Sequence, residues 1–147
     1  MNLRKMNIGD YDAVYALWLS CKGMGLNNLD DSKDGISKFL ERNPETCFVA
    51  EFDGKVIGVI IAGHDGRRRY IYHTAIAPEY RRQGIAKRLV DAALNALKNQ
   101  GINKAAMLVF EKNKDGNAFW ENIGFTARND IVYRNKTISA DMIRIDT

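Results

Sequence analysis

The sequence predicts an α/β (α+β) domain with a single mixed, mostly antiparallel sheet that is covered by helices on both faces. Three observations lead to this prediction. The chain has 147 residues, of which 46% are hydrophobic, so it can bury a sizeable core as one domain. Segments with strand periodicity and helix periodicity follow one another in the order β-α-α-β-β-β-α-β-α-β-β. No internal repeat, low-complexity stretch or linker interrupts the chain, so the predicted domain covers residues 1–147.

The first part of the chain is predicted to hold one strand and two helices. The strand covers residues 3–6, and the first helix begins at Asp10 and ends near Gly23, because its apolar residues recur at helical spacing. A loop over residues 23–28 separates it from a second helix over residues 31–42. Both helices therefore precede the main strands of the sheet.

Three consecutive strands are predicted next, over residues 46–52, 56–62 and 70–76. The first two flank Asp53-Gly54, a pair typical of a tight hairpin turn because it tolerates positive φ. The third strand is rich in β-formers and follows a loop over residues 66–69.

The remaining elements alternate between helix and strand. A helix over residues 84–99 has one apolar stripe, and a strand over residues 104–110 is expected to be buried on both faces. A short helix over residues 115–122 ends at Gly124, and two closing strands are expected on either side of Asn135-Lys136.

Composition excludes several classes of protein. No run approaches the roughly 18 apolar residues of a membrane span, and the N-terminal residues lack the apolar core of a signal peptide, so a cytoplasmic location is expected. Cys21 and Cys47 have no metal-ligand spacing with each other or with His64 and His73, so no metal site is expected. The two cysteines are interpreted as buried, reduced thiols.

The positive charge of the chain is concentrated in one segment. The net charge is +4, but residues 67–88 contain seven basic residues and one acidic residue, a local charge of +6 against −2 elsewhere. Such a segment could bind nucleic acid, a membrane surface or a small anion. Binders of single-stranded nucleic acid interleave aromatic and basic residues, whereas here the basic residues cluster around a glycine that opens a helix. This arrangement favours a small phosphate.

The junction between the third predicted strand and the helix over residues 84–99 has the chemistry of a phosphate site. It reads Arg81-Arg82-Gln83-Gly84-Ile85-Ala86, and Lys87 and Arg88 follow. Gly84 has no Cβ, so a ligand can approach the backbone, and the first amides of a helix point outward with the positive end of its dipole. The alternative is an ordinary helix start with water at its amides and solvated arginines.

A second pattern lies in residues 113–125. Asn113 precedes a short helix that contains Phe119 and Trp120, and the helix ends in Gly124-Phe125. Judged alone, the aromatic residues are interpreted as core residues and Asn113 as a turn or N-cap residue.

Together, the two patterns resemble those of the GNAT superfamily of N-acetyltransferases. Arg81-x-x-Gly84-x-Ala86 resembles its acetyl-CoA signature, and Asn113…Trp120-Glu121-x-x-Gly124-Phe125 is similar to its later Asn…Tyr-Glu-x-x-Gly-Phe motif. Residues 74–80 are similar to its Leu-Ala-Val-x-Pro-x-Tyr strand. The resemblance covers residues 46–125 well and the whole chain in element order, and it implies acetyl-CoA, or coenzyme A, as the co-substrate.

The resemblance implies a position for each part of coenzyme A. Amides between Arg82 and Lys87 would hold the pyrophosphate, and backbone groups of residues 74–76 would pair with the pantetheine arm like an added strand. A β-bulge in that strand would open a cleft for the arm, and one amide there would polarise the thioester carbonyl. Asn113 would bond the pantetheine near its sulfur end. The implied cofactor-binding residues are Thr74, Ala75, Ile76, Arg81, Arg82, Gln83, Gly84, Ile85, Ala86, Lys87, Asn113 and Trp120.

The chain departs from the superfamily at the usual acid and base. Trp120 stands where a tyrosine often protonates the leaving thiolate, and an indole N–H cannot serve as an acid. Tyr70 and Leu108 stand where a carboxylate often serves as base. A thiol has a pKa of about 8.5, so its thiolate is a tolerable leaving group and the missing acid slows the reaction rather than stopping it.

The catalytic candidates are His73, Tyr72 and Tyr133, and Glu111 is a further candidate for a local or water-relayed base. Histidine is suited to exchange protons near neutral pH, which favours His73 as the base, and Tyr133 is a candidate acid. Strand alternation predicts that Tyr70 and Tyr72 lie on the face opposite His73. The alternative for His73 is a packed or hydrogen-bonded strand residue.

These features predict an acetyl-CoA-dependent N-acetyltransferase that acts on a primary amine of a small molecule, a peptide or a protein N-terminus. At pH 7 a lysine amine costs about 4.6 kcal/mol to deprotonate and an α-amine about 1.1 kcal/mol, so a weak base favours acceptors of low pKa. Direct attack in a ternary complex is expected, because neither cysteine lies in the matched site as a covalent relay. The alternative is an acyl-CoA-binding module with little or no catalysis.

The remaining expectations concern partners. We expect no nucleic-acid or membrane partner, and a monomer or homodimer. The loop over residues 23–30 and the helix after it are expected to shape the acceptor pocket. Arg67, Arg68 and Arg69 are either a solvated turn or a rim that steers an anion.

Overall fold

The computed structural model describes residues 1–145, which form two adjoining sheets and four α-helices. Residues 146 and 147, which the predicted domain includes, lie outside the described residues. The strands are β1 (Asn2–Lys5), β2 (Phe48–Phe52), β3 (Lys55–Ile60), β4 (Ala62–His64), β5 (Arg69–Ile71), β6 (Ala75–Ile76) and β7 (Ala106–Met107). The helices are α1 (Tyr11–Leu19), α2 (Lys33–Arg42), α3 (Ile85–Asn99) and α4 (Lys114–Asn122).

The strands confirm the mixed, mostly antiparallel α/β class but divide into two sheets where the sequence predicts one. The four-stranded sheet has the order β1-β2-β3-β6 and is antiparallel. The three-stranded sheet has the order β4-β5-β7, and β5 and β7 run parallel. Only Ile61 separates β3 from β4, and only residues 72–74 separate β5 from β6. Two long strands therefore pass from one sheet into the other.

A β-bulge marks the place where the sheets divide. Ala62 pairs with Ile71, and Val59 pairs with Ala75, so two residues of one strand face three residues, 72–74, of the other. The extra residue interrupts the ladder and bends the strand. This interruption is why the predicted strand over residues 70–76 appears as β5 and β6.

The core is centred on β3. Its residues 57–60 are all buried, so both faces of this strand are covered, and α1 and α3 both contact it. The predicted apolar stripe of α3 is confirmed, and Cys21 and Cys47 are free and buried, as predicted. The stripe consists of Ile85, Leu89, Ala93 and Leu97, all buried.

Capping sets the start of α2. The Ser32 hydroxyl oxygen accepts a hydrogen bond from the Gly35 amide at 3.0 Å, so the helix begins at Lys33 rather than at residue 31. Asp31 therefore lies in the loop before the helix, where it is only 4% exposed. No helix within residues 1–145 has the length and apolarity of a membrane span.

The two predicted closing strands are wrong for the described residues. Residues 126–145 contain no strand, only an isolated bridge to Asn27. The backbone of this segment bonds instead to the loop over residues 26–28, where the Asn28 amide donates to the Ile143 carbonyl at 3.0 Å. β-branched residues favour strands when a sheet face covers them, and here Ile138 is 99% exposed.

The strand expected over residues 104–110 is also shorter and more exposed than predicted. Only β7 is a strand, and Leu108, directly after it, is 60% exposed. The chain leaves β5 at this point, because β5 ends at the bulge and offers no further ladder.

Candidate active site

An open wedge lies beside β6. On one side of the bulge, β5 pairs with β7 through Tyr70–Ala106 and Ile71–Met107. On the other side, β6 is the outer strand of the four-stranded sheet and has β3 as its one neighbour within residues 1–145. No strand lies against the outer backbone edge of β6 among the described residues, although the Ile76 carbonyl accepts from Arg81 Nε at 3.2 Å. An extended ligand can add to such an edge as a further strand. The resemblance puts the pantetheine arm along this edge.

The loop that opens α3 follows β6 through a short 3-10 turn, Pro78–Tyr80. Arg82 and Gly84 have positive φ, 62° and 78°, and a Cβ added at Gly84 would meet no atom within 4 Å. The first bond of the helix runs from the Arg88 amide to the Gly84 carbonyl at 3.2 Å, so the preceding amides have no partner within the helix. This loop combines an approachable backbone with the positive end of a helix dipole, which suits a phosphate.

Arg81 is exposed, but its guanidinium bonds back to the protein. Its Nε donates to the Ile76 carbonyl at 3.2 Å, and its Nη2 contacts Cys21 Sγ at 3.4 Å. The guanidinium therefore ties the loop to β6 and braces it.

The other predicted residues of this loop differ in their exposure. Arg82 and Gln83 are exposed, whereas Ile85 is buried in the core and Ala86 is half-buried. Lys87 is exposed and pairs with Asp91 at 2.7 Å, one turn along α3. The backbone amide is therefore the one group that all residues from 82 to 87 can offer to a ligand.

Asn113 is the N-cap of α4. Its Oδ1 accepts from the Gly116 amide at 2.9 Å, which is the capping role considered for it from the sequence. Its Nδ2 group carries two N–H donors, and because Asn113 is exposed they can reach a ligand.

Trp120 packs in the core. It is 8% exposed, and its ring makes edge contacts with Phe119 and Phe125 at centroid distances of 5.1 Å each. This position favours the packing role over a direct cofactor contact.

His73 lies in the bulge and contacts a carboxylate. Its Nε2 is 2.7 Å from Asp31 Oδ1, and the two side chains are 15% and 5% exposed. The Trp18 ring of α1 packs edge-on against the imidazole at 5.0 Å, and its Nε1 donates to the His73 carbonyl at 3.3 Å. His73 is therefore held at the bulge by one helix residue, Trp18, and one loop residue, Asp31.

Asp31 is missing from the predicted site because the sequence places it inside a helix. The signal that could have found it is Ser32, a preferred N-cap residue, which moves the helix start by two positions. With the helix starting at Lys33, Asp31 lies in the loop, where its carboxylate can contact His73.

The bulge also brings Tyr72 and His73 to the same side of the strand, so the alternation predicted for them is wrong. Tyr72 contacts Phe39 of α2 at a ring distance of 5.6 Å, and His73 contacts Trp18 of α1. The two rings themselves are 6.5 Å apart. The extra residue lets two consecutive side chains share one face.

Tyr72, beside His73, is poorly placed to lose a proton. Burial raises the pKa of Tyr72, and the nearby Tyr70 and Tyr133 raise it further. Tyr72 nevertheless stays 43% exposed, and Tyr133, on the C-terminal segment, is 59% exposed. The Tyr72 hydroxyl, whose pKa is raised, remains able to donate a hydrogen bond at neutral pH.

Arg67 and Arg68 lie in a turn, and Arg69 is the first residue of β5. Asp65 Oδ1 accepts from the Arg67 and Arg68 amides at 2.9 and 2.7 Å, and these bonds lower the pKa of Asp65. Arg67 and Arg68 are exposed, in keeping with a solvated turn, whereas Arg69 is half-buried and its Nε is buried without a hydrogen-bond partner among the described residues.

Comparison with known proteins agrees with this geometry. A family model described as the acetyltransferase (GNAT) family matches residues 11–125. An acetyltransferase of Sodalis glossinidius is 28% identical over 141 residues, which cover 96% of this chain and 98% of that protein.

Two solved structures show the same fold. The PaiA N-acetyltransferase of Thermoplasma acidophilum, in complex with coenzyme A, has a TM-score of 0.76 and 20% identity, over 86% of this chain and 90% of that one. The diaminobutyrate acetyltransferase of Paenibacillus lautus, in complex with its substrate and coenzyme A, has a TM-score of 0.69 and 23% identity, over 83% of this chain and 73% of that one.

Proposed function

We propose, from the premise that this chain belongs to the acetyltransferase (GNAT) family, that it transfers an acetyl group from acetyl-CoA directly to a primary amine in a ternary complex. Membership makes it an acetyl-CoA-dependent acetyltransferase with the coenzyme A thioester as co-substrate. The observation that carries the proposal is the open wedge beside β6, which leads to the outward amides of α3.

We propose that coenzyme A lies along this wedge. Its pyrophosphate binds the amides from Arg82 to Lys87, with Arg81 as a brace rather than a direct ligand. Its pantetheine arm pairs with the outer edge of residues 74–76, and Asn113 Nδ2 donates to the arm. The thioester then lies close to the bulge, where His73 is held.

Direct transfer is favoured by the state of the two cysteines. Burial raises the pKa of the Cys47 thiol to about 11, so little thiolate exists at neutral pH. Cys21 is buried beneath Arg81 and contacts it through Sγ. Neither thiol is thus placed to carry the acetyl group, and the amine attacks the thioester itself.

His73 is the proposed general base. It lies at the inner end of the wedge, and the positions where a carboxylate base was sought hold Tyr70 and the exposed Leu108. A single imidazole cannot supply the roughly 4.6 kcal/mol needed to deprotonate an ordinary lysine at pH 7, so acceptors with less basic amines are favoured. An α-amine, or one amine of a compact diamine whose pKa its neighbour lowers, meets this condition.

Tyr72 and Tyr133 are the proposed hydrogen-bond donors to the leaving sulfur or to the acceptor. Tyr72 shares the face of His73, and Tyr133 is close enough to raise its pKa. Trp120 takes no part in this proposal because its ring is packed in the core.

Acetyl-CoA binding at the Gly84 loop and acetyl transfer to an amine can be tested in one assay. Purified protein is mixed with acetyl-CoA and a panel of α-amino acids, peptides and diamines, and thiol release is followed alongside the mass of the acetylated amine. We expect turnover with at least one low-pKa amine. In Gly84→Ala, the new Cβ blocks the approach of the pyrophosphate, so KM for acetyl-CoA rises by about tenfold or more.

Gly54→Ala is the matched control. Gly54 has φ +76°, close to the +78° of Gly84, and an added Cβ there also meets no atom within 4 Å. Both variants lose about 1 kcal/mol of stability from the same backbone strain, but G54A keeps its KM. Equal KM values for the two variants would contradict the proposed pyrophosphate site. Tight coenzyme A binding without turnover on any amine would favour the acyl-CoA-binding module.

A further inference from the structure

The contact between His73 and Asp31 is built more firmly than an incidental ion pair. Besides His73 Nε2, the Asp31 carboxylate accepts from the Asn27 amide, at 2.8 Å to Oδ2. The Asp31 carbonyl accepts from the Tyr11 hydroxyl at 2.7 Å. Aspartate is almost never this buried unless it is paired, and here donors hold both carboxylate oxygens.

This geometry decides which ring nitrogen of His73 can act. A carboxylate only accepts hydrogen bonds, so the nitrogen that faces Asp31 at 2.7 Å carries a proton. In the neutral imidazole the other nitrogen, Nδ1, then has the free lone pair. A histidine on a strand without such a partner would exchange between the two tautomers.

We propose that Asp31 is the positioning residue for the base: it keeps the proton of neutral His73 on Nε2, so that Nδ1 is the atom that accepts the proton of the acceptor amine. The proposal rests on the proposed function. The amine nitrogen bonds to the thioester carbonyl carbon, and the nitrogen's excess proton passes to Nδ1. The C–S bond then breaks, the thiolate leaves with its electron pair, and the imidazolium returns the proton to the thiolate or to water.

Asp31 also stabilises the product of the proton transfer. Once Nδ1 is protonated, the imidazolium lies against the Asp31 carboxylate, so the buried region holds a neutral pair rather than an isolated cation. The same logic operates wherever a buried carboxylate orients a catalytic histidine, and here it replaces the carboxylate base that Leu108 and Tyr70 do not supply.

The competing interpretation is that the pair only fastens the loop over residues 23–32 to the bulge. If the pair has only this structural role, its removal should lower the stability and raise KM for the amine, with kcat preserved. If Asp31 positions the base, its removal should lower kcat and leave KM for the amine unchanged. The two interpretations therefore differ in kcat.

The test compares Asp31→Asn, His73→Gln and the double variant by steady-state kinetics. An asparagine can rotate and present either its oxygen or its NH₂ group to Nε2, so D31N loses both the tautomer and the negative charge. We expect kcat to fall about tenfold or more in D31N and about a hundredfold in H73Q, with KM for acetyl-CoA unchanged. The double variant is expected to match H73Q, because Asp31 acts only through His73.

Asp12→Asn is the matched control, since it removes an exposed carboxylate in the first turn of α1, and it should keep kcat within about threefold. Long-range ¹H–¹⁵N spectra of the wild-type protein give a second measurement that needs neither a variant nor activity. The Nε2–H tautomer is expected, and an Nδ1–H tautomer would overturn the proposal. Preserved kcat in folded D31N, or additive losses in the double variant, would overturn it as well. A wild-type protein that acetylates no amine would instead contradict the proposed function, while the tautomer stays measurable.

Discussion

Arg4 and Asp10 form a nearly buried ion pair where β1 meets α1. Asp10 accepts from the Arg4 guanidinium at 2.7 and 2.9 Å and from the Asn7 amide at 3.0 Å, and it is 8% exposed. These bonds, that from Arg4 first, lower the pKa of Asp10. A carboxyl whose folded-state pKa is lowered stabilises the fold above its unfolded value, about 3.9, and loses that contribution as the pH falls through the folded-state value.

Asp10→Asn should therefore cost most at neutral pH. We expect its free energy of unfolding at pH 7 to be about 2 kcal/mol below that of the wild type, because charged hydrogen bonds to Arg4 are lost. Urea denaturation from pH 7 to pH 3 should show this difference narrowing below about pH 4, where the Asp10 carboxyl begins to protonate in the unfolded wild-type chain. The exposed Asp12→Asn should differ little from the wild type at any pH, and a gap for D10N that stays constant with pH would contradict the account.

At the scale of elements, the close packing of α3 on β3 depends on Gly58. A Cβ at this position would lie 2.9 Å from Ile76 Cδ1 and 3.1 Å from Leu89 Cδ1. Because Ile76 belongs to β6, the glycine links the packing of the helix to the strand beside the wedge.

Gly58→Ala should destabilise the protein by about 1–2 kcal/mol through overpacking, measured by urea denaturation. Ile76→Val removes Cδ1, the atom nearest to the new methyl group, and costs about 1 kcal/mol alone. We expect the double variant to be more stable than the sum of the two single losses implies. Strict additivity would show that Ile76 is not the obstacle.

The helices of this chain could be predicted from sequence, and several strands could not. The stripe of α3 and the cap before α4 are local signals, set by periodicity and by one side chain. The strands after Gly124 depend on whether a neighbouring strand exists to pair with, and the closing segment finds the loop over residues 26–28 instead. A run of residues with high β-propensity does not indicate which of these partners the segment will pair with.

At the scale of the whole molecule, the C-terminal segment is joined to the loop before α2. Asn28 makes most of this junction: its amide donates to the Ile143 carbonyl, and its Nδ2 donates to the Asp141 carbonyl, each at 3.0 Å. The same loop supplies the Asn27 amide that holds Asp31.

Asn28→Ala should loosen this junction and leave the core intact. The side-chain bonds to the segment are lost, so we expect amide hydrogen exchange of residues 141–145 to accelerate about tenfold, while the amides of α3 exchange as in the wild type. Asn135→Ala, an exposed change in the same segment, is the control and should leave the exchange unchanged. Equal acceleration in both variants, or none in N28A, would contradict the role of Asn28.

The candidate site was predictable in the part that uses the backbone and not in the part that uses side chains. Outward amides and a positive φ follow from Gly84 and the helix start, which are visible in sequence. The partnership of Asp31 with His73 joins residues 42 positions apart, and the orientation of Arg81 depends on Cys21 and β6. Such contacts arise only after the fold has formed.

The bulge at residues 72–74 reverses the face of the sheet on which the even-numbered side chains of this strand lie. Before it, Tyr70 pairs with Gly63 and lies on the side of α2; after it, Ile76 pairs with Gly58 and lies on the side of α3. Without the extra residue, these two even-numbered positions would share a face. Any residue-by-residue alignment with a relative that lacks the bulge must therefore place its gap here, because a gap elsewhere would assign the second half of the strand to the wrong side of the sheet.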